Sequence, residues 1–457
     1  MPKKNIYLLS FILTLSCTYV PAPAHASSLT DEQSGTPSRA YSAKNLQQKH
    51  FDEIRNLQQL NFTKIESLSQ LYSDTRRVVP LLGSKIAQQS ATLDGRYVLE
   101  SQFVSPNHPA NGAINNVFGA PTWVVPRENA LAILELLQSA AILGPQADQT
   151  NGYTQKANLA ADYLVRVQGA DGGWYDQYSY ENPVTLSKSP TQTAEVMIAF
   201  QKLGFAQGRY TSMKNGAIFL MSLQNPANKG GSDDGLISGG KDSNGNFVTW
   251  RWTSDNSFAY WALIAASQWA SNAQDNAFAQ TTRQAADKIL KGINDYLYVS
   301  NPSDPDNGVW RRVIDQNHNV IDPAFHEWIN YAPQMLDLPA RGVGSKKVGD
   351  WIHRVLQKSD GSVVWNDGSE RNRKSPGFSF QAALVWQDLG QTQFAKSALN
   401  WANNSGLWQL TPDSNGVTGG WIDWIENGTP APSWQRFIDT SFYATSALNG
   451  GYDFTVR

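Results

Sequence analysis

From Arg127 onward the chain alternates between two kinds of helical segment, and this alternation restricts the fold more than any other feature of the sequence. One kind is apolar or small-residued on every side. Residues 127–143 (RENALAILELLQSAAIL) and 255–270 (DNSFAYWALIAASQWA) have this character, which a helix needs only when other helices enclose it. The other kind carries a single apolar stripe. In 154–168, Ala157, Ala160, Leu164 and Val167 recur at helical spacing while Gln155, Lys156, Asp162 and Arg166 point elsewhere.

Enclosed segments begin near Arg127, Pro190, Asp255, His326, Pro376 and Phe437, with amphipathic segments near 154–168, 209–224, 278–296, 346–357 and 391–403 between them. The helical stretch around 44–72 is expected to supply the sixth amphipathic partner. Six inner and six outer helices make an all-α (α/α)6 toroid of six helical hairpins, assigned to 121–457. The connections fall into two unequal sets. Inner-to-outer links such as KLGFAQGRYT and DLGQTQ are short and turn on glycine. Outer-to-inner links are long and rich in Gly, Asp and Trp, and all must emerge on the rim where the inner helices start. Long loops gathered on one side of a rigid scaffold are where binding and catalysis concentrate.

Composition closes off other classes. A chain of 457 residues with 41% hydrophobic and 17% charged residues, a net charge of −2 and one cysteine is neither a disordered polymer, nor a disulfide scaffold, nor a basic nucleic-acid binder. Residues 1–26 read as a secretory signal peptide: Met-Pro-Lys-Lys, an apolar run from Ile6 to Cys17, and Ala24-His25-Ala26 at the cleavage point. Two of the 37 basic residues and none of the 39 acidic ones lie in it, so cleavage takes the net charge to −4 and leaves no cysteine. A lipid anchor on Cys17 is the minor alternative, disfavoured because Thr14 stands where a lipobox has Leu. No later run has the length of a transmembrane helix. The expected product is secreted or periplasmic and monomeric, with no membrane or nucleic-acid partner. Residues 27–43 read as a linker, and 44–120 as an N-terminal helix followed by a lid-like segment with some strand, covering 73–120.

The hairpin pattern, with QGADGGW at Gln168–Trp174 and the echoes DNGVW, DGSVVW, NSGLW and TGGW, resembles the superfamily of α-toroid carbohydrate-active enzymes, the six-hairpin glycosidases and related polysaccharide lyases. The resemblance is architectural and covers roughly 120–457. It implies a secreted enzyme acting on an oligo- or polysaccharide. QxxDGGW is also similar to the QW repeat of terpene cyclases, but the acidic DxDD-type motif of that family is absent.

All 16 tryptophans lie from Trp123 onward, many in or beside the long loops. An indole face stacks on the apolar face of a pyranose and its N–H reaches a hydroxyl, so Trp123, Trp174, Trp252, Trp310, Trp424 and Trp434 are candidate sugar platforms. Structural gap-filling is as good an explanation for any one of them. Hydrolysis of a glycoside needs a proton donor and a second carboxylate. Acids at inner-helix starts are Glu128, Asp255, Glu327 and Asp439. Asp255 with Glu327 is the preferred catalytic pair and Asp439 the reserve, although N-capping alone accounts for Asp255 and Asp439.

Arginines gather near the same rim, among them Arg127, Arg373 and Arg436, so an anionic, uronate-containing glycan is a second substrate class. Cleavage by β-elimination would then use His326, Tyr331 and an arginine. The GGWYDQY stretch is similar to the GGWPQ segment of one pectate lyase family, without its proline. Pairing of these arginines with loop acids is the plain alternative. A glycan-binding protein without catalysis is the remaining reading. No cofactor is expected. The loops GSDDG, DSNGN and NPSDPDNG could hold structural calcium, but none is a complete EF-hand, and no zinc, nucleophile-elbow or phosphate-loop motif is present.

Overall fold

The computed structural model describes residues 80–115, 123–224, 233–304, 307–321, 345–366, 368, 371–408, 419–431 and 436–450. Twelve helices lie among them: α1 Ser84–Glu100, α2 Pro126–Leu143, α3 Pro145–Asn151, α4 Tyr153–Arg166, α5 Pro190–Leu203, α6 Gln207–Ser222, α7 Thr253–Asn272, α8 Asn276–Gly292, α9 Ser345–Val355, α10 Pro376–Asp388, α11 Thr392–Asn404 and α12 Ile438–Leu448. Helices α2, α5, α7, α10 and α12 are the inner set. Their packing runs α10 to α12 to α2 to α5 to α7 around a ring. The sixth inner helix, expected near His326, lies outside the described residues.

Local chemistry explains where these helices begin. Pro126, Pro190 and Pro376 each occupy the first turn, where a missing N–H costs nothing and the fixed φ favours entry. Ser375 caps α10 by accepting from the Phe378 N–H, and Asp275 caps α8 in the same way. Gly144 and Gly204 end α2 and α5 with positive φ of 86° and 92°. Inner helices bury nearly every residue, whereas α4, α8 and α11 bury one stripe, such as Ala395, Ala398, Leu399 and Ala402.

The segment before α2 differs from expectation. Helix α1 packs on α2 and α12 and closes that pair, so 84–100 is helix where a lid with strand was expected. Its buried face of Ala87, Ala91, Tyr97 and Val98 takes the place an outer helix must fill. The signal peptide, the linker and the 44–72 stretch lie outside the described residues.

Ten two-residue strands stitch the long loops together: β1 Trp123–Val124, β2 Tyr178–Ser179, β3 Asn182–Pro183, β4 Arg251–Trp252, β5 Val313–Ile314, β6 Arg373–Lys374, β7 Trp421–Ile422, β8 Ile425–Glu426, β9 Thr429–Pro430 and β10 Arg436–Phe437. Four of them, β1, β4, β6 and β10, run directly into the inner helices α2, α7, α10 and α12. Three of them pair antiparallel with a strand of another long-loop segment, β1 with β2, β4 with β5 and β6 with β8, while β10 pairs with β7 of its own loop. The long loops therefore meet on one rim, at the helix starts. Among the described residues, no helix is long and apolar enough to cross a membrane.

Candidate active site

Helix starts on a ring point their first-turn side chains into a shared mouth, and Arg127 on α2 is the hub there. Its Nε lies 3.3 Å from Oε1 of Glu195 on α5, one terminal nitrogen 3.6 Å from Oδ2 of Asp439 on α12, and the other 4.0 Å from Oε1 of its neighbour Glu128. The Arg127 backbone N–H donates to Oε1 of Gln192 on α5, and the Asp439 N–H donates to Oε2 of Glu128. Three helices are thus bound through one guanidinium. Asp255, in the first turn of α7, accepts a hydrogen bond from the Thr191 hydroxyl of α5.

Burial sets the protonation of this cluster. Glu128 is pushed up to about 8, by desolvation first and then by the Asp439 charge, against the pull of Arg127. Desolvation likewise raises Glu195 to about 7, opposed by Arg127 and reinforced by the charges of Asp439 and Asp255. Asp255 rises to about 7 through burial, opposed by the Thr191 bond. Asp439 also lies above the usual carboxylate value because it is enclosed, although Arg127 favours its ionised form. Its side chain is 21% exposed, whereas that of Glu195 is 3% exposed. The mouth thus offers buried carboxyls poised near neutrality and one that water can reach. Tyr443, buried on α12 below them, is held as the neutral phenol by burial and by the Glu195 charge.

The other sequence candidates divide. Trp123 is 36% exposed at the head of α2. Trp252 is half-buried, with the Arg312 guanidinium 4.8 Å from its ring centre. Trp424 is half-buried under Arg373, which lies 4.8 Å above it, 5.7 Å from Trp365 and 3.4 Å from Glu426. Arg373 is therefore tied into the rim, as are Arg127 and Arg251, whose Nε lies 2.6 Å from Asp234. Trp174 and Trp310 are not platforms. Trp174 is buried with its N–H on the Leu164 carbonyl and its ring edge-on to Phe200, and Trp310 packs on Tyr298. Arg436 stands on β10 opposite Ile422. His326, Glu327, Tyr331 and Trp434 lie outside the described residues.

Sequence reasoning missed Glu195, Thr191 and Tyr443. The signal for Glu195 was an acid placed one turn inside a segment that is otherwise apolar all round. Two of the loop acids read as calcium ligands are engaged in other ways. Asp234 binds Arg251 and His318, and Asp242 accepts from the N–H groups of Asn244 and Asn246 in its own turn. Among the described residues no group of three His, Cys, Asp or Glu could hold a metal ion.

Known structures place the fold. A D-mannose isomerase superposes with a TM-score of 0.58 at 13% identity, over 79% of this chain and 95% of its own. A sugar epimerase from a ruminal bacterium gives 0.59 at 12%, over 81% and 99%. A glycosidase in complex with glucose gives 0.55 at 13%, over 80% and 98%. This chain shares the (α/α)6 toroid. No protein-family model and no curated protein sequence matches it.

Proposed function

We propose that the chain is a carbohydrate-processing enzyme that hydrolyses glycosidic bonds at the mouth of the toroid. The observation that carries this reading is the convergence of carboxyl groups from α2, α5, α7 and α12 on one rim, some buried and poised near neutrality and one open to water. Hydrolysis asks for this division of labour. Asp255 is assigned as the acid: burial raises it to about 7, so a large share of it carries a proton at neutral pH, and the Thr191 hydroxyl aligns the carboxyl. Asp439 is assigned as the base, since its side chain is partly exposed and Arg127 favours its ionised form against the upward push of burial. Glu327, the partner favoured by the sequence, is the alternative base. Trp123 and Trp252 would stack on the sugar rings.

Arg127 is the principal obstacle to a β-elimination reading at this site. A lyase needs a cation for the sugar carboxylate, and Arg127 is already engaged by three protein carboxyls. Isomerisation or epimerisation is the second reading, favoured by the isomerase and the epimerase among the similar structures.

The deciding experiment incubates the purified protein with neutral and acidic polysaccharides and reads reducing ends together with the ultraviolet absorbance of unsaturated uronate. New reducing ends alone support hydrolysis. Both signals together mean a lyase. Conversion of free mannose or cellobiose, with polymers left intact, would replace hydrolysis by isomerisation.

A further inference from the structure

A cavity of about 530 Å³ lies behind the β6–β8–β9 sheet, away from the carboxyl cluster. Its lining comes from three places: the segment Lys358–Asp360 after α9, the last turn and cap of α11 with Trp401 and Ser405, and the sheet with Arg371, Asn372, Lys374, Ile425, Asn427 and Gly428. The sheet register explains the division. Lys374 pairs with Ile425 and both line the cavity, while the neighbouring pair Arg373 and Glu426 bond each other beside Trp424. The hairpin tip is fixed, because Asn427 and Gly428 both take positive φ, 50° and 83°, as a tight two-residue turn requires.

Three cations, Lys358, Arg371 and Lys374, face one carboxylate, Asp360. That carboxylate is already engaged: its Oδ2 lies 2.5 Å from the Lys374 ammonium and its Oδ1 accepts from the Ser362 hydroxyl. Although partial burial pushes its pKa up, these bonds hold it below the usual value, so it stays charged and paired. Among the described residues that line the cavity, cations outnumber carboxylates three to one. Beside the charge stand Trp401 and Ile425 as apolar wall and Asn372, Asn427, Ser359 and Ser405 as amide and hydroxyl partners.

We propose that this cavity is a second saccharide site that takes the acidic units of a uronate-bearing glycan. The volume suits a small sugar unit, within the roughly 300–1,000 Å³ of ordinary ligand pockets. Arg371 offers a planar fork to the sugar carboxylate, the amides and hydroxyls match ring hydroxyls, and the Trp401 and Ile425 surface accepts the C–H face. A plain anion site has no use for the last two features. The proposal rests on the carbohydrate reading of the mouth and adds to it a preference for polymers with acidic units, held at a distance from the bond that is cut.

The test uses the full mature chain carrying Asp255→Asn, so that binding is read without turnover. Calorimetric titration is run with an oligogalacturonate, a neutral cello-oligosaccharide and inorganic phosphate. The oligouronate is expected to bind, and the Lys358→Glu, Arg371→Glu double variant to weaken it at least about tenfold, as loss of charge-assisted contacts should, with an unchanged melting temperature. Arg371→Gln alone serves if the double variant folds poorly. The proposal falls if the variants bind the oligouronate as well as the parent does, if the neutral oligomer loses as much affinity, or if phosphate binds as tightly as the sugar. Binding that persists while no glycan is cleaved by the wild type would uphold this site and remove the reading of the mouth.

Discussion

Arg127 and Glu195 meet at 3.3 Å across the α2–α5 seam, and the second oxygen of Glu195, Oε2, is buried with no hydrogen-bond partner among the described residues. The guanidinium is the counter-charge on which several enclosed carboxyls depend. Removing it with Arg127→Leu should destabilise the protein by about 3–5 kcal/mol at alkaline pH, the usual cost of a broken buried pair. The loss should shrink toward pH 5, where Glu128 and Glu195 have taken up protons. Urea unfolding at two pH values measures it, and adding Glu195→Gln should recover part of the loss.

Asp255 and Thr191 make a kinetic prediction. Asp255→Asn should lower turnover by about 10²–10⁴, the range for loss of a general acid, with little change in melting temperature. Thr191→Val removes a donor that favours the ionised carboxyl, so the Asp255 pKa should rise further above about 7. Activity that needs the protonated acid falls as pH rises through that value. The alkaline limb of the kcat/KM profile should therefore move to higher pH in Thr191→Val, and a limb that stays in place or moves down removes Asp255 as the acid.

A second acidic pair lies deeper in the ring. Asp94 on α1 and Glu135 on α2 both bond the Thr445 hydroxyl of α12, and Asp94 also accepts from Ser90 and from the Trp421 indole. Burial raises Asp94 from 3.8 to about 7. The fold favours its neutral form, so this contribution to stability is whole below about pH 3.8 and is lost as pH rises through about 7. Asp94→Asn stays neutral throughout. Its melting temperature should gain on the wild type between pH 4 and about pH 7 and level off above, and parallel curves would show that Asp94 does not titrate there.

Two tryptophans should separate binding from folding. Trp123→Ala, at an exposed rim position, should raise KM or Kd for a glycan with an unchanged melting temperature. Trp174→Ala empties a site packed against Phe200 and should cost about 3–5 kcal/mol in stability. Thermal melts alongside titration with the cleaved polymer distinguish the two.

The architecture was legible because its markers are local. Pro126, Pro190 and Pro376 announce inner helices, and the all-round apolar segments behind them can only be enclosed. The site was legible in part. Asp255, Asp439, Glu128 and Arg127 sit in first turns, where position on the ring follows from the helix start. Glu195 did not stand out, because an acid inside an apolar helix becomes meaningful only once Arg127 of the neighbouring hairpin is seen beside it. Trp174 and Trp123 are the same residue in similar loops, and only packing tells the buried ring from the exposed one. Helix α1 was missed because its small-residue face, Ala87, Ser90, Ala91, Asp94 and Gly95, carries little hydrophobic signal although it lies against α2.

The paired strands at the helix starts make the rim loops mutually dependent. Displacing the segment before α7 breaks β4 from β5, and displacing that before α10 breaks β6 from β8. No single described flap can swing aside without unzipping an adjoining one. Exchanging one of these segments during engineering should then require grafting its partner strand as well.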